Sequence, residues 1–210
     1  MAGKNEKDGQ NSCSNCRDAQ HAEMKIGVVS DTHGNIEVWR RIEPIFADAD
    51  LIIHAGDILY HPPRLGCQDA YNIPAMVETI NSSNIPIIFA RGNCDPEVYE
   101  ELLTWPIQSP YAFVQYDKIR ILVTHGHLME RRRMTELARL YKTDILVTGH
   151  THIPAIEATD DNIVLLNPGS PSFPKYEVDG RPVGSVGLIT DDELTIVNIE
   201  DGTSIYRHSF

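Results

Sequence analysis

Residues 85–95 read IPIIFARGNCD. An apolar run from Ile85 to Ala90 stops abruptly in a polar turn. The run is short, rich in β-branched residues and free of polar alternation. It therefore reads as a strand buried on both faces. Its carboxyl end delivers Asn93, Cys94 and Asp95 to one spot. Cys94 there is open to three readings: nucleophile, metal ligand or bystander. The rest of the chain has to decide among them.

The same design recurs four times. MKIGVVS runs into Asp31, DLIIHAG into Asp57, IRILVT into His125 and DILVTG into His150. Between the first strands, NIEVWRRIEPIFADA has helical spacing, with Val38, Ile42 and Phe46 on one face. AMVETINSS and RMTELARLYK read as further helices. YAFVQYDKIRILVTH reads as two strands joined at a tight Asp-Lys turn. AIEATDDNIVLLN, SVGLITDDELTIVNI and SIYRHSF read as antiparallel strands. The front half is α/β and the back half mostly β. Two sheets with helices outside bury both kinds of strand.

In α/β sheets, ligands bind beyond the carboxyl ends of the strands. Five such ends here offer a carboxylate, an amide or an imidazole. Asp31-Thr32-His33 and His150-Thr151-His152 add a second donor two positions on. In extended backbone, residues i and i+2 point the same way, so each pair is expected to reach one centre. The set is Asp31, His33, Asp57, Asn93, His125, His150 and His152. It is too large for one tetrahedral ion and suits two ions sharing a carboxylate. Oxygen and imidazole donors favour Mn, Fe, Zn or Co over Cu(I) or an iron–sulfur cluster. Singly, each residue has an ordinary reading as a helix cap, a turn residue or a hydrogen-bonded strand end. Five strand ends in chain order, all bearing metal-type side chains, do not.

The chain has 210 residues and a formal net charge of −12. That length suits one domain with a full core. The acidic balance argues against a stable nucleic-acid complex, because phosphate contacts need a basic face. It leaves room for a small phosphorylated substrate held by cations. No apolar run approaches the ~20 residues of a membrane helix, and the N-terminus lacks a signal-peptide core, so the expected location is cytoplasmic. Residues 1–23 are polar and aperiodic and read as a disordered extension, with the domain spanning 24–210. Cys13 and Cys16 form a lone C-x-x-C in that tail, read as incidental. Cys67 reads as a small, partly buried thiol.

SDTHG, the GD of residues 56–57, RGNCD, THGH and GHTH resemble, in order, the motifs of the calcineurin-like metallophosphoesterases. GDILYHPPR, THGHL, GHTHIP and NPGS look like the small bacterial and archaeal YfcE-type phosphodiesterases within that superfamily. The resemblance covers Met24 to the C-terminus. It implies an αββα sandwich of two mixed sheets flanked by helices, with a dinuclear site. Asp31, His33, Asp57 and His152 would hold one ion. Asp57, Asn93, His125 and His150 would hold the other, with Asp57 shared. Mn is the first choice of metal by resemblance, with Zn, Fe, Co and Ni as alternatives. The implied reaction is in-line attack on a phosphodiester by a hydroxide that both ions activate.

Cys94 departs from the superfamily pattern, in which many members carry His after the Asn. That His assists the leaving oxygen. A thiol lacks its reach and charge, so phosphodiesters with good leaving groups are the expected substrates. His127 is a candidate for contact with the phosphate or for a replacement acid. His61 and Arg64 in YHPPR are candidates for substrate contact at the rim. Arg131, Arg132 and Arg133 read as a solvated helix start, NPGSPS as a turn behind the metal loops, and Asp95 as either a plain turn residue or one that orients a neighbour. The competing functions are a non-catalytic protein-binding scaffold on this fold and a phosphomonoesterase. A homo-oligomer is compatible with the sequence.

Overall fold

The computed structural model describes residues 23–61 and 66–210. Arg64, Cys13 and Cys16 lie outside the described residues. In the first half, the elements are β1 (Lys25–Val29), α1 (Ile36–Phe46), β2 (Leu51–His54), α2 (Ile73–Asn81), β3 (Ile87–Ala90), α3 (Tyr99–Leu102) and β4 (Ile107–Gln108). β5 (Ala112–Tyr116), β6 (Ile119–Val123), α4 (Arg131–Tyr141), β7 (Ile145–Val147), β8 (Pro154–Ala158) and β9 (Val164–Pro168) follow. The chain closes with β10 (Glu177–Val178), β11 (Arg181–Pro182), β12 (Ser185–Thr190), β13 (Glu193–Asn198) and β14 (Ser204–Ser209).

Two sheets result. The larger has the order β14-β13-β12-β1-β2-β3-β4, and the smaller β5-β6-β7-β9-β8. β1 to β4 run parallel, as do β6, β7 and β9. Their carboxyl ends therefore gather at one edge of the sandwich. β5 and β6 form the expected hairpin, and Asp117 takes a left-handed φ of 47° in its turn.

The apolar pattern explains the layers. Ile26, Val28, Ile53, Ile121, Val123, Ile145, Val147 and Leu166 meet between the sheets. Trp39, Ile42 and Phe46 of α1 and Met76 and Ile80 of α2 cover the outer face of the larger sheet, against Ile52, Ile87 and Phe89. Met134, Leu137 and Ala138 of α4 cover Leu122 and Leu146 on the smaller sheet. The central strands are thus buried on both faces, as their continuous apolar runs require. Each such buried aliphatic side chain contributes about 1.5–3 kcal/mol. Asn35 caps α1 by accepting from Val38 N, which fixes the exit of the chain from the Asp31–Gly34 loop. The architecture is the αββα sandwich expected from the sequence.

Three short features escape a reading by periodicity. α3, β4 and the β10–β11 hairpin have only two to four residues per element, too few for a hydrophobic period to register. Cys67 corrects the expectation of a partly buried thiol, because it is exposed. Among the described residues, no helix is long and apolar enough to cross a membrane.

Candidate metal centre

The loops after β1, β2, β3, β6 and β7 carry Asp31, Asp57, Asn93, His125 and His150 to one place. The expectation of extended backbone at the paired donors is corrected. Asp31, His33, His150 and His152 have φ of 57°, 47°, 68° and 63°, and Asp57 has 58°. Nine non-glycine residues are left-handed among those described, and five of them are these candidate ligands. The i and i+2 side chains converge because sharp turns aim them, not because a pleat does. Left-handed non-glycine backbone costs about 1–2 kcal/mol per residue, and such strain persists where surrounding contacts over-determine it.

The donor atoms are close together. His152 Nε2 lies 3.2 Å from Asp31 Oδ1, and His33 Nε2 lies 3.8 Å from the same oxygen. Asp57 Oδ2 lies 3.7 Å from His33 Nε2 and 3.4 Å from His125 Nε2. Asp57 thus stands between the two imidazoles, the position a shared carboxylate needs. His125 Nε2 is 3.1 Å from Asn93 Oδ1. Asp31, His33, Asp57, His125 and His152 are buried, whereas Asn93 and His150 are exposed. The site therefore has a closed floor and an open side.

The imidazoles are pre-oriented. His33 Nδ1 donates to Tyr60 O at 2.6 Å, His125 Nδ1 to Ala55 O at 2.8 Å and His152 Nδ1 to Phe173 O at 2.7 Å. A carbonyl only accepts, so each Nδ1 carries the proton and each Nε2 lone pair faces the site. Metal-binding histidines are held in this way. Asp31 Oδ1 and His33 Nε2 are buried with no hydrogen-bond partner among the described residues. Orphaned buried polar atoms are costly. A divalent cation satisfies both at once, so the residues fit that group.

The electrostatics agree. Burial opposes charge on Asp57, yet His125, His33 and the Cys94 N–H hold its carboxyl well below the usual range. Burial would lower His125, but Asp57 and Asp31 lift it to about 9. A proton and a cation compete there for one lone pair.

Asp95 is the brace beneath Asp57. Its Oδ2 accepts from Gly92 N at 2.8 Å as well as from Asp57 N, and its Oδ1 accepts from Ile58 N. It therefore orients a neighbour, the second of its two readings. Burial and the Asp57 charge push its carboxyl up to about 6 despite these bonds. Gly92 leaves room for the arrangement, since a Cβ there would collide with Asp57 Oδ1 and Asp57 N.

Cys94 lies beside the donors. A thiol sulfur, a His33 nitrogen and an Asp57 oxygen fall within 4.8 Å of one another. Burial and Asp57 push the thiol up to about 12, so it stays protonated. Asn93 Nδ2 donates to Cys94 Sγ at 3.2 Å. His127 is half-buried, with its ring 5.3 Å from His125 and 6.3 Å from His150. His61 packs at the rim against Tyr60 and Tyr71. Arg131 pairs with Glu157, and Arg132 and Arg133 pair with Glu136, which leaves them on a solvated helix start.

NPGSPS braces the ligand loops from behind. Asn167 Nδ2 donates to Gly149 O and Thr151 Oγ1 at 2.9 and 3.0 Å. Ser170 Oγ donates to Asp31 O, and Ser172 Oγ to Thr32 O. His54 went unread in the sequence. It is fully buried; its Nδ1 accepts from Gly56 N, and its Nε2 donates to Thr32 Oγ1, which donates to Ile58 O. This chain links two ligand loops. Its only sequence signal is an imidazole inside an apolar strand.

Residues 24–190 match the calcineurin-like phosphoesterase superfamily domain. The chain belongs to that family of metal-dependent phosphoesterases. It is 36% identical over 184 residues to phosphodiesterase YfcE of Escherichia coli, spanning 87% of this chain and 96% of that protein. The E. coli YfcE structure superposes with a TM-score of 0.76 at 34% identity, covering 89% of this chain and 99% of the other. A phosphodiesterase of Methanocaldococcus jannaschii is 30% identical over 70% of this chain and 83% of its own length. Vacuolar protein sorting 29 from Cryptosporidium parvum shares the fold, with a TM-score of 0.61 at 19% identity over 90% of this chain and 98% of its own.

Proposed function

We propose that this chain is a metal-dependent phosphodiesterase acting on small phosphodiesters. The observation that carries the reading is the pair of orphaned buried atoms, Asp31 Oδ1 and His33 Nε2, facing the carboxylate of Asp57. Asp31, His33, Asp57 and His152 would hold one divalent ion, and Asp57, Asn93, His125 and His150 the second. Mn is the first choice, with Zn, Fe, Co and Ni as alternatives. Bound there, the ions supply Lewis-acid charge on the phosphoryl oxygens and lower the pKa of water.

The chain's own residues do the rest. Asn93, on the open side, also offers its amide N–H to the phosphate, and His127, beside His125 and His150, donates to it. Asp95, Asn167 and Ser170 hold the ligand loops rigid, so little reorganisation opposes the transition state. The Cys94 thiol, raised by burial, is a poor proton donor. Substrates whose leaving group needs no protonation are therefore favoured, and monoester turnover is weak. His61 contributes to the rim of the site. The working domain is 24–210, and the expected setting is the cytoplasm. A scaffold role, as an alternative, predicts no bound metal and no turnover of any phosphoester.

The direct test is hydrolysis of bis(4-nitrophenyl) phosphate with added Mn²⁺. Activity should vanish on chelation and in Asp57→Ala and Asn93→Ala. Turnover indifferent to all three rejects the mechanism.

A further inference from the structure

The His33–His152 side of the centre is walled by aromatic rings. Phe173 and Tyr60 each seat one of these histidines through a backbone carbonyl. Phe173 meets His33 edge-on at 5.4 Å and lies 6.4 Å from His152. Tyr60 is 40% exposed, and its ring lies 4.7 Å from His61. His61 in turn meets Tyr71 edge-on at 5.1 Å. The opposite side is polar, built from Asn93, His125, His127 and His150.

Two polar atoms at this wall are unspent. His61 Nδ1 and Tyr99 Oη are shielded from solvent and have no hydrogen-bond partner among the described residues. Burial, then Tyr71, Asp95, Tyr60 and Cys94, raise the Tyr99 phenol, so it stays a neutral donor close to both the wall and Cys94. Exposed ring faces beside idle hydrogen-bonding atoms match a planar ring with polar groups on its edge. A methyl substituent would use neither feature, and a glycerol one would leave the ring faces unused.

We propose that Tyr60, His61 and Tyr71 form a subsite for a planar aromatic substituent of the phosphodiester, an aryl ring or a nucleobase, and that it sets substrate choice. The inference rests on the phosphodiesterase reading above. The chain's net charge of −12 confines a nucleobase source to small nucleotides rather than polymers.

The test is calorimetric titration of the Mn-loaded protein with methylphosphonate, phenylphosphonate and thymidine 5′-phosphate. Base–aromatic stacking predicts that the preferred ring-bearing ligand binds about tenfold or more tighter than methylphosphonate. Phenylphosphonate favoured over the nucleotide identifies an aryl source, and the reverse a nucleobase. In Tyr60→Ala the preference collapses to within about threefold, whereas Tyr60→Phe, which keeps the ring, retains it. Equal affinity of the wild-type protein for all three ligands overturns the subsite, as does a preference that survives Tyr60→Ala. Hydrolysis of bis(4-nitrophenyl) phosphate is followed in parallel. No hydrolysis with an intact ring preference overturns the phosphodiesterase reading alone. Hydrolysis without ring preference overturns the subsite alone.

Discussion

The carboxylate of Asp95 carries the backbone of Asp57: Asp57 N donates to Asp95 Oδ2 at 2.7 Å, and the next amide, Ile58 N, donates to Oδ1 at 2.8 Å. A buried charge that makes no direct approach to substrate thus sets where the shared carboxylate points. In Asp95→Asn one acceptor oxygen becomes a donor and faces backbone N–H groups. An unsatisfied buried donor costs about 1–3 kcal/mol. Urea unfolding should register that loss. Mn²⁺ titration followed by electron paramagnetic resonance should show affinity down by about tenfold or more, as expected when a group that orients a metal ligand is lost. Unaltered affinity would make Asp95 a turn residue only.

Cys94→His should raise turnover of substrates with poor leaving groups. The thiol is pushed up to about 12, so at neutral pH it gives up a proton less readily than an ordinary thiol. An imidazolium at this position gains positive charge and a lower pKa. The measurement is the slope of log kcat against leaving-group pKa across a series of aryl phosphodiesters. A slope unchanged by the substitution would sink the idea.

His54 makes the fold acid-sensitive. Burial, with only partial relief from Asp31, holds its imidazole down at about 3. Above the unfolded value of about 6.5 both states are neutral and the group is silent. As pH falls below that value the unfolded chain takes the proton first, so stability drops down to the folded value, by roughly 5 kcal/mol in all. His54→Gln should be less stable at pH 7, having lost the link to Thr32, but flatter between pH 6.5 and 4. Urea midpoints across that range for both proteins decide the matter. Parallel curves would refute the assignment.

Divalent metal should stabilise the protein through the same orphaned atoms. Ligand at a hundredfold excess over Kd adds about 2.7 kcal/mol. For a domain of this size that corresponds to a rise in Tm of about 5–10 °C. A chelator should reverse the shift. Asp31→Asn should abolish most of it, since Asp31 Oδ1 loses its charge at the centre. A Tm insensitive to Mn²⁺ in the wild-type protein would contradict the proposed centre.

Much of this was legible along the chain. The continuous apolar runs of β1, β2, β3, β6 and β7 could only be buried on both faces, which required helices outside two sheets. Placing Asp31, Asp57, Asn93, His125 and His150 at their carboxyl ends then brought five donors to one edge, whatever the detailed register. Spacing also yields His33 and His152 as second donors, although sharp turns and not a pleat make each pair converge. Tertiary structure decided the rest. Left-handed turns aim the paired donors, and no residue type announces them, because Asp and His, though enriched in that region, mostly adopt ordinary backbone elsewhere. The histidines are aimed by the carbonyls of Ala55, Tyr60 and Phe173, and a backbone carbonyl leaves no mark in a sequence. The Asp95 brace and the His54 link join loops far apart in the chain, and the rings of Tyr60, His61 and Tyr71 meet with no periodicity to announce them. Hydrophobic periodicity reports which face a residue buries; which partner it finds there is settled only when the loops close.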